Sequence, residues 1–313
     1  MEKGEETAEK EAFGEGFWSQ KDVKEVFLDE QRQYMWNMDY FEKILVPLFR
    51  LKEDSIVLEV GCGLGALCEM LSKYVLKGKV VGVDLDSKLI EEAQKRANRL
   101  SNRIILEYKK GNAYSLPIPD NFADFTVCQT LLMHLNEPTK AINEMKRVTK
   151  KGGIVVAIEP DYTGITSFDT VVEKLNLPLE KRLLLRKGDM LLNEGKRKLG
   201  KGDNEIGSKV PILFHNSGLR VLDVRSIDKV FWLIPPYTGH ELELKHAAMP
   251  LDVWVEQLDL RNQFMAGGGT EDEWNKYYAV IKEAFEVQQQ QIDTKTFISI
   301  VIPAATVTLA EKP

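Results

Sequence analysis

No stretch of this 313-residue chain approaches the roughly 18 consecutive apolar residues of a membrane-spanning helix. The N-terminus is acidic and lacks the apolar core of a secretory signal, so the expectation is a cytoplasmic protein without a membrane span. Cysteine is scarce: Cys62, Cys68 and Cys128 include no C-x-x-C pair, which argues against both a disulfide framework and a metal site. A basic excess is missing as well. The 42 Lys and Arg are outnumbered by 48 Asp and Glu, a net charge of −6. Ten acids against four lysines in residues 1–30 account for all of it, leaving the remainder balanced. Residues 1–16, acidic and poor in apolar side chains, read as a disordered start. The one basic stretch, Lys181 to Lys201, spreads eight Lys and Arg around a leucine-rich helix. That describes a solvated helix face better than a nucleic-acid patch, because polyanion binders carry a basic domain. There is no internal repeat.

What the chain does have is concentrated in residues 56–65, Ile-Val-Leu-Glu-Val-Gly-Cys-Gly-Leu-Gly. A β-branched apolar run ends in three glycines at alternate positions, and Leu67, Met70, Leu71, Tyr74 and Val75 follow at helical spacing. Strand, tight turn and helix are expected. Glycine at 61 and 63 lets backbone approach a ligand, and Gly65 lets the helix sit close to the strand. The spacing is G-x-G-x-G, not the G-x-G-x-x-G of a dinucleotide fingerprint. Glu59, two residues ahead, would repel a pyrophosphate and suits a cationic ligand. An ordinary tight turn with no ligand remains the alternative.

This stretch resembles the first motif of the class I S-adenosylmethionine (SAM) dependent methyltransferases, E/D-x-G-x-G-x-G. The resemblance continues in register from about residue 54 to 161. Lys79 to Asp86 is a second buried strand ending in acid. Asp84 stands where a carboxylate reaches ribose hydroxyls, and Asp86 or Ser87 caps the next helix; a purely capping Asp84 is the competing reading. Gly111-Asn112-Ala113-Tyr114-Ser115-Leu116-Pro117 looks like the family's G-D/N-A-x-x-L-P adenine loop, with Asn112 in place of the commoner aspartate. Residues 120–135 resemble its F-D-x-V strand and trailing L-x-H-L, and residues 138–159 its helix, glycine pair and fifth strand, with Gly152 and Gly153 expected to cap the helix. The resemblance implies a cofactor, SAM, leaving as S-adenosylhomocysteine. The contacts it implies come from Glu59, Gly61, Cys62, Gly63, Gly65, Asp84, Leu85, Asn112, Ala113 and Gln129.

The fold implied is α/β: a Rossmann-like, doubly wound sheet of seven strands, mostly parallel with the last antiparallel, carrying helical cap insertions. Residues 17–51 form amphipathic helices that in this family often cover the ligand cleft. Helical insertions are expected at about 163–204 and 236–292, with a sixth strand near 219–225 and the last at 305–310.

A sulfonium methyl needs chiefly an aligned nucleophile and exclusion of water, and a base only for a hydroxyl or a protonated amine. Candidates for that chemistry are His134, Glu159 and Asp161. His134 is a base, a substrate contact or a structural histidine; the two carboxylates steer a cationic amine or cap the next segment. Tyr34, Trp36, Tyr40 and Tyr162 are candidates for the acceptor side, while His215, His240 and His246 stand farther off. Resemblance is closest to the ubiquinone and menaquinone biosynthesis branch, which implies a small-molecule acceptor. The N/D-P-P-Y tetrapeptide of amino-directed nucleic-acid methyltransferases is replaced by Gln129-Thr130-Leu131-Leu132. A protein or RNA methyltransferase, or a silent SAM-binding protein, stays as the alternative, and a monomer or homodimer is expected.

Overall fold

The computed structural model describes residues 18–19, 36–100, 105–162, 166–302 and 304–313. The expected disordered start and Tyr34 lie outside the described residues, as does most of 17–35. Among the described residues ten strands occur in chain order: β1 Ile56–Val60, β2 Lys79–Asp84, β3 Ile105–Lys110, β4 Ala123–Gln129 and β5 Thr149–Pro160, then β6 Thr166–Asp169, β7 Arg220–Ser226, β8 Phe231–Leu233, β9 Ser299–Ile302 and β10 Ala305–Glu311.

The main sheet runs β3-β2-β1-β4-β5-β10-β7. β10 is antiparallel to both its neighbours, whereas β3 through β5 pair in parallel. Alternation along each strand sends side chains to two cores. Leu58, Val60, Val81 and Val83 face the helices Pro138–Val148 and Val210–Asn216, which contribute Ala141, Ile142, Met145 and Phe214. Val57, Val80, Phe125 and Val127 face Phe41, Leu45 and Phe49 and the Ala66–Ser72 helix with Leu67 and Leu71. Burial on both faces explains why these strands read as unbroken apolar runs. Strand order reverses between β1 and β4, so the carboxyl ends of β1, β2 and β4 open a crevice at the switch point.

Two expectations need correction. The Pro138–Val148 helix ends at Thr149, which has extended backbone and already pairs with Ala123, so the glycine pair is not its cap. Gly152, at φ +75°, instead bends β5 where its N–H donates to Lys312 O at 2.7 Å. The first insertion is also not purely helical, since β6 lies within it, while β8 and β9 fall outside both expected insertions. β6, β9 and β8 form a second, antiparallel three-stranded sheet. Leu233 of β8 clusters with Tyr237, Phe297 and Val171 against the helices Thr170–Leu175, Glu241–Ala247 and Glu271–Asp293.

Candidate active site

Three glycines set the floor of the crevice. Gly61, Gly63 and Gly65 have φ of +74°, +52° and +82°, values an L side chain rarely adopts. The Gly61 and Cys62 N–H groups both donate to Val83 O, at 2.8 and 3.1 Å, folding the turn back over β2. Space forbids side chains too. A Cβ at Gly61 would stand 2.9 Å from the Leu131 side chain, and one at Gly65 would stand 2.3 Å from the Tyr108 hydroxyl. Glu59 is fully buried and accepts the Cys68 thiol at 2.9 Å, which ties β1 to the helix beyond the turn. Burial and Glu59 together push the Cys68 thiol well up, so it stays a proton donor.

Asp84 closes β2 beside this turn. Its Oδ2 accepts the Gly63 N–H at 2.8 Å and its Oδ1 the Asp86 N–H at 2.9 Å. A carboxylate is an acceptor with about four lone-pair directions, and these two bonds fix its orientation beside the turn. Asp86 is the helix cap, accepting the Lys88 N–H at 2.9 Å, and half-buried Leu85 lies between the two acids. The next loop is pinned to the same strand, because the Gly111 N–H donates to Asp84 O at 2.9 Å. Asn112 turns its amide oxygen onto the Tyr114 N–H at 2.7 Å, which shapes the loop and half-buries Ala113 beside it. Glycine turn, acid and amide loop are thus brought together.

Beyond β4, Gln129 is buried at the strand tip and the chain reverses through Thr130 at φ +49°. Glu159, at the end of β5 and fully buried, holds this reversal. Its Oε1 accepts the Leu131 and Leu132 N–H groups at 2.9 and 2.8 Å, and its Oε2 the Met133 N–H at 3.2 Å. Desolvation raises its pKa to about 7, against the three backbone donors that lower it. Both oxygens are engaged with main chain, so Glu159 is an anchor within the fold. His134 ends the short turn Leu132–His134, with the Trp18 ring edge-on to its imidazole at 4.8 Å. Trp18 also packs on Leu64 of the glycine turn and on Leu89. Sequence reasoning missed Trp18: it stands among many aromatics, and nothing local distinguishes it.

The remaining candidates scatter around the rim. Tyr40 donates its hydroxyl to Ser226 O at 2.8 Å, and Asn37 reaches Asp228 at 3.0 Å, so this helix entry is fastened to the end of β7. Trp36 packs at a tilt against Phe41, is 4% exposed, and its indole N–H meets no acceptor among the described residues. Asp161 is buried, with its N–H donating to Ala304 O at 2.8 Å. Tyr162 is exposed and donates its N–H to Asn204 O at 3.0 Å. His215 is exposed and His240 pairs with Trp232 on the cap, both away from the glycine turn in sequence and packing. The His246 side chain lies outside the described residues. No group of three or more potential metal ligands occurs among the described residues.

Residues 58–157 match the family model described as a methyltransferase domain. An uncharacterized methyltransferase of Schizosaccharomyces pombe is 38% identical over 116 residues, covering 36% of this chain and 42% of that protein. The demethylmenaquinone methyltransferase of Staphylococcus carnosus is 29% identical over 129 residues, 41% of this chain and 52% of that one. The chain thus spans about half or less of the length of these relatives. Among solved structures, BH2331 of Bacillus halodurans superposes with a TM-score of 0.51 at 17% identity, over 86% of this chain and 97% of its own. YcgJ of Bacillus subtilis gives 0.50 at 17%, over 87% and 97%. These two establish the shared fold. Residues 58–157 are a class I, SAM-dependent methyltransferase domain.

Proposed function

Starting from a methyltransferase domain at residues 58–157, we propose that this chain transfers a methyl group from SAM to a small-molecule acceptor by in-line displacement. The observation that carries the reading is the joint register of the glycine turn, Asp84 and the Asn112 loop. Positive-φ glycines leave bare backbone where a Cβ would collide, and the Asp84 carboxylate stands beside it. That is a cradle with room for a nucleoside and an acid for its diol.

Bound there, SAM supplies a sulfonium methyl already activated for displacement. The chain's own work is to orient and to exclude water. Gly61, Cys62, Gly63 and Gly65 present backbone to the amino-acid portion, with Glu59 behind them. Asp84 and Leu85 hold the ribose, and Asn112 and Ala113 the adenine edge. Gln129 lies at the strand tip, toward the methyl. Alignment of this kind lowers a barrier by roughly 7–11 kcal/mol without a dedicated nucleophile. Trp18, wedged between Leu64 and His134, closes the crevice against solvent. His134 shapes that wall. Trp36, a buried donor with no acceptor among the described residues, suits an oxygen of the acceptor molecule; Tyr40, Asp161 and Tyr162 complete that side.

A small molecule is favoured over a polymer because most of the basic side chains of 181–201 are paired with acids. Lys181 pairs with Glu283, Lys187 with Glu273, Arg197 with Glu194, Asp203 and Glu205, Lys198 with Glu194, and Lys201 with Asp259. Relatives named for naphthoquinone and menaquinone methylation support the same class. Isothermal titration with S-adenosylhomocysteine tests the cofactor half; absence of a binding heat removes the proposal. Transfer of labelled methyl to low-molecular-weight phenols, quinols and amines, set against tRNA and protein, tests the other half.

A further inference from the structure

The second sheet has one covered face and one bare face, and the strand register tells them apart. Phe168 of β6 pairs with Ile300 of β9, which pairs in turn with Trp232 of β8, so these side chains form one row across the sheet. Ile302, two residues beyond Ile300, lies on the same side, and Val230 and Ile234 continue the alternation on either side of Trp232. All six are exposed, Phe168 by 53%, Ile302 by 51% and Trp232 by 45%. On the opposite face Leu233 is buried with Val171, Tyr237 and Phe297, so that side already has its cover.

Large apolar side chains left in water usually stand singly, and a contiguous face of them marks an interaction site. The exposed parts of these six amount to roughly 500 Å². A standard interface takes about 800 Å² from each partner, somewhat over half of it non-polar, so this face alone carries the apolar share of one subunit. Charge narrows the choice of occupant. None of the six is charged, and Lys229, next to Val230 in the chain, reaches instead over the Phe231 ring at 6.0 Å. His240 borders the row, its ring 4.1 Å from that of Trp232, and Glu243 stands 3.6 Å from its Nδ1 to balance a proton there. A lipid surface is gripped by apolar faces rimmed with Lys and Arg, and a chain of net charge −6 is repelled by anionic headgroups. A strongly charged partner finds no counter-charge on these positions. A second copy of the same face fits, because a two-fold pairing buries apolar surface on both sides and confronts no like charges.

We propose that this chain forms a homodimer through the Phe168–Ile300–Trp232 face of its second sheet, stacked on the same face of a second copy. Sheets packed in this way lie about 10 Å apart with their side chains interdigitated. The place of this interface bears on the cleft. Ala305 pairs with Pro160 at the end of β5, and Thr306 with Ser226 at the end of β7. The short links from β5 to β6, from β7 to β8 and from β9 to β10 therefore all leave the main sheet at the edge where the crevice opens. Pairing through the second sheet braces the cap at that edge, and the inference stands apart from the identity of any cofactor or methyl acceptor.

The test is sedimentation equilibrium of the full chain over a wide range of concentration. The wild type should approach twice the 35.6 kDa of one chain. Ile300→Glu, which sets like charges against each other at the centre of the row, should halve that mass while keeping the wild-type far-UV circular dichroism. Ile212→Glu, at a side chain 62% exposed on the Val210–Asn216 helix and outside this sheet, should remain a dimer. Should Ile300→Glu not fold, Phe168→Ser on the edge strand β6 gives the same reading with a milder change. A wild type that stays a single chain at every concentration overturns the inference, and so does a dimer that the folded variants leave intact. Flotation of the wild type with phosphatidylcholine–phosphatidylglycerol vesicles, lost in Ile300→Glu, would give the face to a lipid surface and overturn it as well.

Discussion

Two carboxylates at strand ends carry opposite relations to the backbone around them. Asp84 is half-buried and accepts the Gly63 and Asp86 N–H groups. Asp84→Ala should weaken S-adenosylhomocysteine binding by about 1–3 kcal/mol, since it leaves ligand hydroxyls and the Gly63 N–H unmet; calorimetry reads this directly, and an unchanged affinity would remove Asp84 from the site. Glu159 is sealed in. Its folded pKa of about 7 exceeds the ordinary 4.5, so between those values the folded state binds more protons than the unfolded one. Its contribution to stability is therefore full below about 4.5, falls as pH rises to about 7, and is flat above. The stability of wild type minus that of Glu159→Gln, from urea unfolding at pH 4.5 and pH 8, should drop by a few kcal/mol over that interval. A difference that rises with pH would mean that Glu159 is better solvated than its burial implies.

At the scale of elements, glycine decides how the cap is built. The Leu179–Lys198 helix crosses the Leu260–Ala266 helix so closely that a Cβ on Gly195 would stand 1.6 Å from Gln263 O, and one on Gly267 would stand 2.0 Å from Leu191 O. Gly188 accepts the Tyr277 ring in the same way. Gly195→Val should force the helices apart at a cost of about 1–3 kcal/mol or more, measurable as a lowered melting temperature. It should also disturb Lys196, its neighbour in sequence. None of this was legible beforehand: the leucines of this helix announced an amphipathic element, but a glycine inside a helical pattern does not say which backbone will lie against it. The second sheet was hidden for a related reason. β6 is four residues long and polar, and its partner β9 lies more than a hundred residues later. No local period signals such a pairing.

For the whole molecule, net charge misleads less than the basic segment does. The chain is acidic overall, and the lysines and arginines of 181–201 are largely spent on acids of the cap and the following loop. Exposed pairs of this kind add little stability each, yet they cancel the field a polyanion would feel. Total tRNA or duplex RNA should therefore show no retention at about 150 mM salt, and no steep salt dependence below it, in a gel-shift titration. Retention with a steep slope would revive the macromolecular reading.

The glycine turn and the positions of Asp84 and Asn112 beside it were determined by the sequence alone, because they are local: glycines at 61, 63 and 65 suit a turn of positive φ with no space for a Cβ, and Asp84 and Asn112 stand at or just beyond the ends of strands with clear apolar runs. Trp18 against His134, Glu159 beneath three backbone amides, and Lys196 beneath Asn204 were decided only by the tertiary structure. A carboxylate at a strand end can face solvent, substrate or main chain, and which it meets depends on where distant segments close over it. Burial, which turns an ordinary glutamate and lysine into groups that titrate near neutrality, is a property of the packed chain and of no shorter stretch.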